Sequence, residues 1–259
     1  MKAEAFLSRT NPNAAYRLGS FTLGGTFSGD YKIFLTSPPP IVLAERDTTA
    51  ETVEGYNGDL TYDNGRYKNV VIPYKCAIIP QGEHTLRDAV VDATRLLAST
   101  ADYRRFEDSF DSAHFRRARI KSCISVESIM EQAGKFEIPF DCKPQRYLKS
   151  GEYVRRFSVP GIIHNPTDFT ALPIITVYGA GAGTVTVNGT LINILEIDAP
   201  IVLDCELQDA YSVANSGALE NKNGVVSAPD FPVLSSGDNA VAFTGDITHI
   251  EIKPRWWTL

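Results

Sequence analysis

The sequence predicts a mainly β protein built as two β-rich domains, the first carrying one helix. Three observations predict it. Short runs rich in Val, Ile, Thr, Tyr and Phe, bounded by Gly, Asn, Asp and Pro, recur along the chain. One stretch, Thr85 to Ser99, has apolar residues at helical spacing. Past about Ser150 a charged, mixed texture gives way to alternating β-branched segments, which puts the boundary between Pro144 and Val154 and divides the chain into 1–147 and 148–259.

In the first half, Phe21 to Leu23 and Tyr31 to Leu35 read as short strands around a Gly-rich turn, Gly24-Gly25 through Ser28-Gly29-Asp30. Pro38-Pro39-Pro40 imposes an extended segment without backbone donors. Asn57-Gly58-Asp59 and Asp63-Asn64-Gly65 mark turns, with Tyr67 to Ala77 extended beyond them. The helix opens at Thr85 with Asp88 three residues on, a capping-box-like start, and Leu86, Val90, Ala93 and Leu97 form its apolar stripe. Tyr103 to Lys121 is dense in mixed charge. Cys123 to Met130 and Phe136 to Cys142 read as a hairpin, although Val126 to Gln132 also reads as a short helix. Pro139 and Pro144 place this region at a sheet edge or a domain exit.

In the second half, strand signals fall at Ile174–Tyr178, Thr184–Val187, Ile192–Ile197, Ile201–Cys205, Tyr211–Val213, Ala240–Thr244 and His249–Ile252. Asn188-Gly189 is a two-residue hairpin signal, since both positions favour φ > 0. Strands spaced near ten residues with no helix between them indicate a sandwich or jelly roll.

Composition excludes several function classes. Of 259 residues, 43% are hydrophobic and 22% charged, which fits a folded globular chain, and the net charge of −6 argues against tight duplex binding. No stretch has the length of a signal-peptide core or a membrane span. Cys76, Cys123, Cys142 and Cys205 are widely spaced without a CxxC pair, so they read as reduced thiols in a protein assembled in cytosol.

The search for chemistry assigns no catalytic residue, cofactor-binding residue or metal ligand. Gly179-Ala180-Gly181-Ala182-Gly183 leads into Thr-Val-Thr-Val, a strand and not a helix, so it reads as a β-turn and not as a phosphate loop. Ser28-Gly29-Asp30 and Ser236-Gly237-Asp238 are turn sequences without a nucleophile elbow. His84, His114, His164 and His249 are scattered, with no metal-ligand pair. Glu107 with Asp108, or Glu51 with Glu54, are carboxylate pairs by proximity alone, and read as charged loop. Asn188-Gly189-Thr190 matches a glycosylation acceptor but is explained by the hairpin. The basic run Arg116-Arg117-Ala118-Arg119-Ile120-Lys121 follows Glu107, Asp108 and Asp111, so a solvated face or a subunit-contact strip accounts for it better than a nucleic-acid patch.

Several segments in order carry a family resemblance. Val42-Leu43-Ala44-Glu45-Arg46, then Gly55-Tyr56-Asn57-Gly58-Asp59-Leu60, then Gly65-Arg66-Tyr67-Lys68-Asn69, resemble the N-terminal domain of the distal tail (Dit) proteins of siphovirus-type bacteriophages. The Thr85 to Ser99 helix falls where that family has its single prominent helix, and Phe140-Asp141-Cys142-Lys143-Pro144 is similar to the segment leaving that domain. Asn165-Pro166-Thr167 with Pro173 to Gly179, Asp230-Phe231-Pro232-Val233-Leu234 with Ser236-Gly237-Asp238-Asn239, and the terminal Pro254-Arg255-Trp256-Trp257-Thr258-Leu259 are similar to its C-terminal sandwich. The resemblance runs from about Phe21 onward, and the chain departs from the family at Pro166, where Gly is expected.

The resemblance implies an N-terminal β-sandwich or split-barrel-like domain and a C-terminal galectin-like jelly roll. It implies a structural virion protein and not an enzyme: a homo-hexameric ring at the distal end of the phage tail, between the tail tube protein and the tail-tip hub or tail-associated protein. Such a ring surrounds a channel for DNA, and its outer domains offer docking to baseplate, receptor-binding or side-fibre proteins. Under it, Val42 to Lys75 and the hairpin Cys123 to Cys142 contribute to the ring, with no cofactor, no membrane and no sequence-specific nucleic acid. The alternative is a carbohydrate-binding sandwich that attaches to host glycans, for which Trp256 and Trp257 are the candidate rings.

Overall fold

The computed structural model describes residues 18–80, 85–98, 100–121, 127–130 and 133–259. The chain divides into one unit reaching Arg146 and another spanning Tyr147–Thr258.

In the first unit the strands are β1 (Phe21–Leu23), β2 (Thr26–Phe27), β3 (Ile33–Leu35), β4 (Arg46–Thr52), β5 (Asp59–Tyr67) and β6 (Val70–Ile78). Helix α1 (Leu86–Leu97) follows, then β7 (Arg104–Asp108), β8 (His114–Ile120), β9 (Glu127–Met130) and β10 (Ala133–Leu148). The main sheet runs β2-β1-β7-β8-β10-β6-β3, with β9 also on β10. Its inner face buries Phe21, Tyr74, Phe106 and Phe140, whose rings meet at centroid distances from 4.5 Å (Phe106–Phe140) to 5.7 Å (Phe21–Phe140). Such tilted and edge-on pairs add about 0.5–1.5 kcal/mol each to the burial of the rings. The Tyr74 hydroxyl ends this stack by donating to Asp108 Oδ2 at 2.8 Å, and burial raises its pKa far above the ordinary tyrosine value.

The helix forms where the spacing predicts it. Thr85 and Asp88 form a full capping box, and Ala89, Ala93, Leu96 and Leu97 are buried, with Leu86 and Val90 against the same core. The helix ends at Leu97 with Ala98 as its C-cap, close to the end expected near Ser99.

Two expectations are corrected. The charged loop expected at Glu107 and Asp108 is strand: both lie in β7, which pairs with β8 as a hairpin within the sheet. Strand alternation explains this, because Phe106 and Ala118 fill the inner face while Arg105, Arg117 and Arg119 point the other way. Asp63-Asn64-Gly65 does not turn the chain; it is a bulge inside β5, with Gly65 at φ 71° and its N–H donating to Asp63 Oδ1.

Pro139, expected at a sheet edge or a domain exit, lies opposite Pro73 of β6 in β10, a central strand that is also the one running out of the first unit. The Pro139 carbonyl accepts from Lys121, just past the end of β8, and Thr36, just past β3, donates to the Lys75 carbonyl. By alternation both proline nitrogens therefore face outward from their shared pair, beyond the ends of β3 and β8, where no ladder bond is lost. Of the Val126–Gln132 ambiguity, Glu127–Met130 is strand paired with β10, whereas Cys123–Val126, Glu131 and Gln132 lie outside the described residues.

The second unit contains β11 (Arg155–Phe157), β12 (Gly161–Asn165), β13 (Ile174–Val187), β14 (Thr190–Ile197), β15 (Ile201–Asp204) and β16 (Asp209–Val213). It continues with β17 (Leu219–Asn221), β18 (Val226–Ser227), β19 (Gly237–Lys253) and β20 (Trp257–Thr258). The order is β11-β19-β13-β15-β16-β17, with β12 on β19, β14 on β13 and β18 on β14. The two long strands β13 and β19 pair along their length. Their halves contribute Ile175, Val177, Val185 and Val187, and Val241, Ile250 and Ile252, to one apolar core.

Here the glycine run is corrected. Gly179–Gly183 is not a turn ending a strand; β13 passes through it, with its pairing to β19 shifting register there. A Cβ on Gly179 would lie 2.3 Å from the Asp246 carbonyl oxygen, and one on Gly183 would lie 2.6 Å from that of Thr244. The glycines let two backbones approach where a curled sheet changes direction. For the same reason the two strand signals Ala240–Thr244 and His249–Ile252 belong to the single strand β19. Asn188-Gly189 forms the predicted hairpin turn, at φ 50° and 85°.

Candidate assembly interface

β4 and β5 stand apart as their own two-stranded sheet, exposed along nearly all their length. At the base Lys68 N–H donates to the Glu45 carbonyl, and the Arg46 guanidinium grips Asp63 with Nε at 3.0 Å and Nη2 at 2.7 Å while lying over the Tyr67 ring. Arg66 meets Asp47 at 2.6 Å. The Arg46 hydrogen bond holds the Asp63 carboxyl below its ordinary range, and Arg66 does the same for Asp47. Toward the tip the arginines stop. Pairing of Thr49 with Tyr62 and Glu51 with Leu60 puts these four side chains on one face, followed by Val53, Glu54 and Tyr56. Tyr56 is 64% and Tyr62 53% exposed. An isolated two-stranded hairpin is marginal in water, so a second surface would stabilise an arm of this kind.

The outer face of the main sheet offers one such surface. Pro73 and Pro139 are half-buried side by side, with exposed Lys75 two residues along β6, exposed Lys121 beyond β8, and Glu137 opposite Lys75. Farther along this face Asp141 accepts from Arg119 Nε at 2.9 Å, Tyr103 Oη at 2.9 Å and Asn69 Nδ2 at 3.1 Å. Burial pushes the Asp141 carboxyl up, but the hydrogen bonds from Arg119, Tyr103 and Asn69 outweigh it and hold its pKa below the ordinary value.

The sequence-level candidates disperse. Glu107 pairs with Arg105 at 2.6 Å, Asp108 receives Tyr74, and Glu51 and Glu54 lie on the arm. His114 binds Asp111 at 2.7 Å, His164 binds Asp238 at 2.7 Å, and His249 stacks on Tyr178 at 4.3 Å; His84 lies outside the described residues. Among the described residues no group of three His, Cys, Asp or Glu could hold a metal. Cys76, Cys142 and Cys205 are free and buried, and burial pushes the Cys142 and Cys205 thiols up to about 12. Ser28-Gly29-Asp30 forms a 3-10 turn, and Gly237 opens β19. The basic run splits between the two faces of β8, with Arg116 half-buried among the core strands.

Neither tryptophan offers a free ring. Trp256 is buried, and Trp257 packs on Phe169 at 4.5 Å with its Nε1 donating to the Thr170 carbonyl.

The segments that carry the family resemblance turn out to be the arm and a set of buried turn-makers. Asn165 donates to the Phe169 and Leu234 carbonyls and accepts from Thr167, and Asn239 donates to the Ile163, Ser235 and Gly237 carbonyls. Arg255 donates to Asp204 and lies 3.3 Å from Glu206. The proline platform had no signal in the sequence, because only the strand register sets Pro73 beside Pro139.

No family model and no curated protein matches the sequence. Solved structures match the fold. The Dit protein (gp 19.1) of phage SPP1, described as a paradigm of the hub adsorption apparatus in phages infecting Gram-positive bacteria, aligns over 94% of this chain and 100% of its own, with a TM-score of 0.67 and 12% identity. A chain of the phage P2 baseplate, in its activated conformation with Ca, aligns over 91% and 97%, with a TM-score of 0.51 and 10% identity. The chain has the fold of these proteins, and the resemblance read from its sequence holds at that level.

Proposed function

We propose that the chain is a structural component of a phage tail tip, a subunit of a hexameric ring that joins the tail tube to the hub and surrounds the path of the DNA. The observation that carries this reading is the match of 94% of this chain to the whole of one hub protein, so that both units find their counterparts in a single molecule. The first unit builds the ring through its arm and sheet, and the second docks further baseplate or receptor-binding proteins. Support for the ring comes from the arm, an exposed hairpin that presents Leu60, Tyr62, Glu51 and Glu54 to solvent. A closed ring needs two different patches per subunit, and an arm with a separate receiving face supplies them. Support for docking comes from β14, where Leu191, Asn193 and Leu195 point outward between buried Ile192 and Ile194 and present an uncharged strip. The role is architectural, without catalysis.

Negative-stain microscopy with light scattering on the purified protein tests this. Six-fold rings with a central hole, at six times the 28.4 kDa chain mass, are expected. A protein that forms no ring alone and adds none to tail tubes supplied in excess overturns the reading.

A further inference from the structure

We propose that the Leu60/Tyr62 face of the arm docks on the Pro73–Pro139 platform of a second copy of this chain, with Glu51 and Glu54 set against Lys75 and Lys121. The contact rests on the ring reading and names the two surfaces that would close it.

The argument is complementarity in shape and charge. The arm face is a flat strand pair carrying Tyr62, Leu60 and, at the tip, Val53 and Tyr56, all between 40% and 64% exposed. Tyrosines that become desolvated are among the usual anchors of a protein interface, and Leu60 and Val53 add apolar area around them. The platform is flat for a reason particular to these strands: opposed prolines present two rings side by side and no long side chain. The Leu60 side chain and the face of the Tyr62 ring cover such a surface without burying an N–H of either proline, since proline has none.

Charge sets the register and the partner. The tip carries Glu51 and Glu54 with no basic residue between Asp47 and Arg66, and the platform is flanked by exposed Lys75 and Lys121. Two carboxylates flank Pro139 on this face, Glu137 opposite Lys75 and Asp141, and Asp141 is neutralised by Arg119 at 2.9 Å, so among the described residues the lysines leave the platform basic. Two copies thus present opposite signs at a heterologous contact although each chain carries net −6. The arm's exposure shows that it does not lie on the platform of its own chain.

A charge-swap experiment tests this. Self-association of the full chain is followed by light scattering and native mass spectrometry for wild type, E51K/E54K, K75E/K121E and an equal mixture of the two variants, with circular dichroism as the folding control. Wild type is expected to associate, less so as salt rises. Each variant alone, now facing like charge with like, should associate about tenfold or more weakly. The mixture should recover association, because every arm then finds a platform of opposite sign, and a folding defect would not be rescued this way.

Variants that assemble like wild type, or a mixture that stays dissociated, overturn the proposal. So does a wild type that stays monomeric at every concentration, although rings seeded on tail tubes would still uphold the broader reading. Lysine changes that abolish duplex-DNA retention but leave assembly intact would assign the platform to nucleic acid and overturn it as well. Conversely, a closed two-fold dimer sensitive to both charge sets upholds this contact and overturns the ring.

Discussion

The guanidinium of Arg255 meets the carboxylate of Asp204 at 2.9 Å, with the two side chains only 10% and 9% exposed. Arg255 takes φ 58°, donates its backbone N–H to the Gly151 carbonyl, and so ties the end of the chain to the start of the second unit. Removing Arg255 leaves the Asp204 carboxylate buried without its counter-charge, held by the backbone N–H groups of Glu206 and Leu207. Arg255→Ala should therefore destabilise the second unit by about 3 kcal/mol or more, read as a lower midpoint of its transition in urea, with the first unit's transition unmoved.

The crossing of β13 and β19 should tolerate no side chain at Gly179. A methyl group there meets the Asp246 carbonyl oxygen at 2.3 Å, backbone that cannot step aside. At Gly189 nothing lies within 4 Å, and only the left-handed φ of 85° penalises a substitution. Gly189→Ala should cost about 1 kcal/mol, and Gly179→Ala about 2–3 kcal/mol or failure to fold. Thermal unfolding of the two variants side by side measures the difference.

Asp141 should contribute to the acid sensitivity of the first unit. Its carboxyl is held below the ordinary 3.8 by the hydrogen bonds of Arg119, Tyr103 and Asn69, against the opposing effect of burial. A carboxyl depressed on folding stabilises the folded state above its unfolded pKa, and that contribution fades as pH falls through the folded pKa. Asp141→Asn should therefore be less stable than wild type near neutrality, with the gap closing below about pH 4. Denaturation midpoints from about pH 7 down to about pH 2 follow this directly. A gap that stays constant would assign the effect to packing alone.

The arm should be dispensable for folding. Glu45 and Lys68 already meet through a backbone hydrogen bond, so Arg46–Tyr67 can be replaced by a two-residue turn without moving the sheet. The thermal midpoint of the first unit should shift by no more than about 4 °C, while self-association is lost. A collapse in stability would show that the arm supports its own chain.

Much of this fold was legible in the sequence because it is written in local chemistry. Thr85 with Asp88, the spacing of Leu86, Val90, Ala93 and Leu97, and the Asn188-Gly189 pair each specify their structure within a few residues, since capping, helical periodicity and a positive φ are local demands. The turn segments around Asn165, Asn239 and Arg255 carried the family resemblance in the same way, through residue types that buried turns require.

What the sequence left open depends on strand register and pairing. The charged run Tyr103–Lys121 became a central hairpin because its alternate residues face opposite sides of a sheet whose other strands lie far away in sequence. Gly179–Gly183 looked like a turn until the approach of β19, more than sixty residues later, gave the missing side chains a reason. Pro73 and Pro139 are ordinary strand-breaking signals when read singly, and form a platform only when β6 and β10 set them in register. The sequence by itself determined the β class, the helix and the hairpin turn. Tertiary structure alone decided which residues share a face, because a strand's side chains acquire their neighbours only from distant segments.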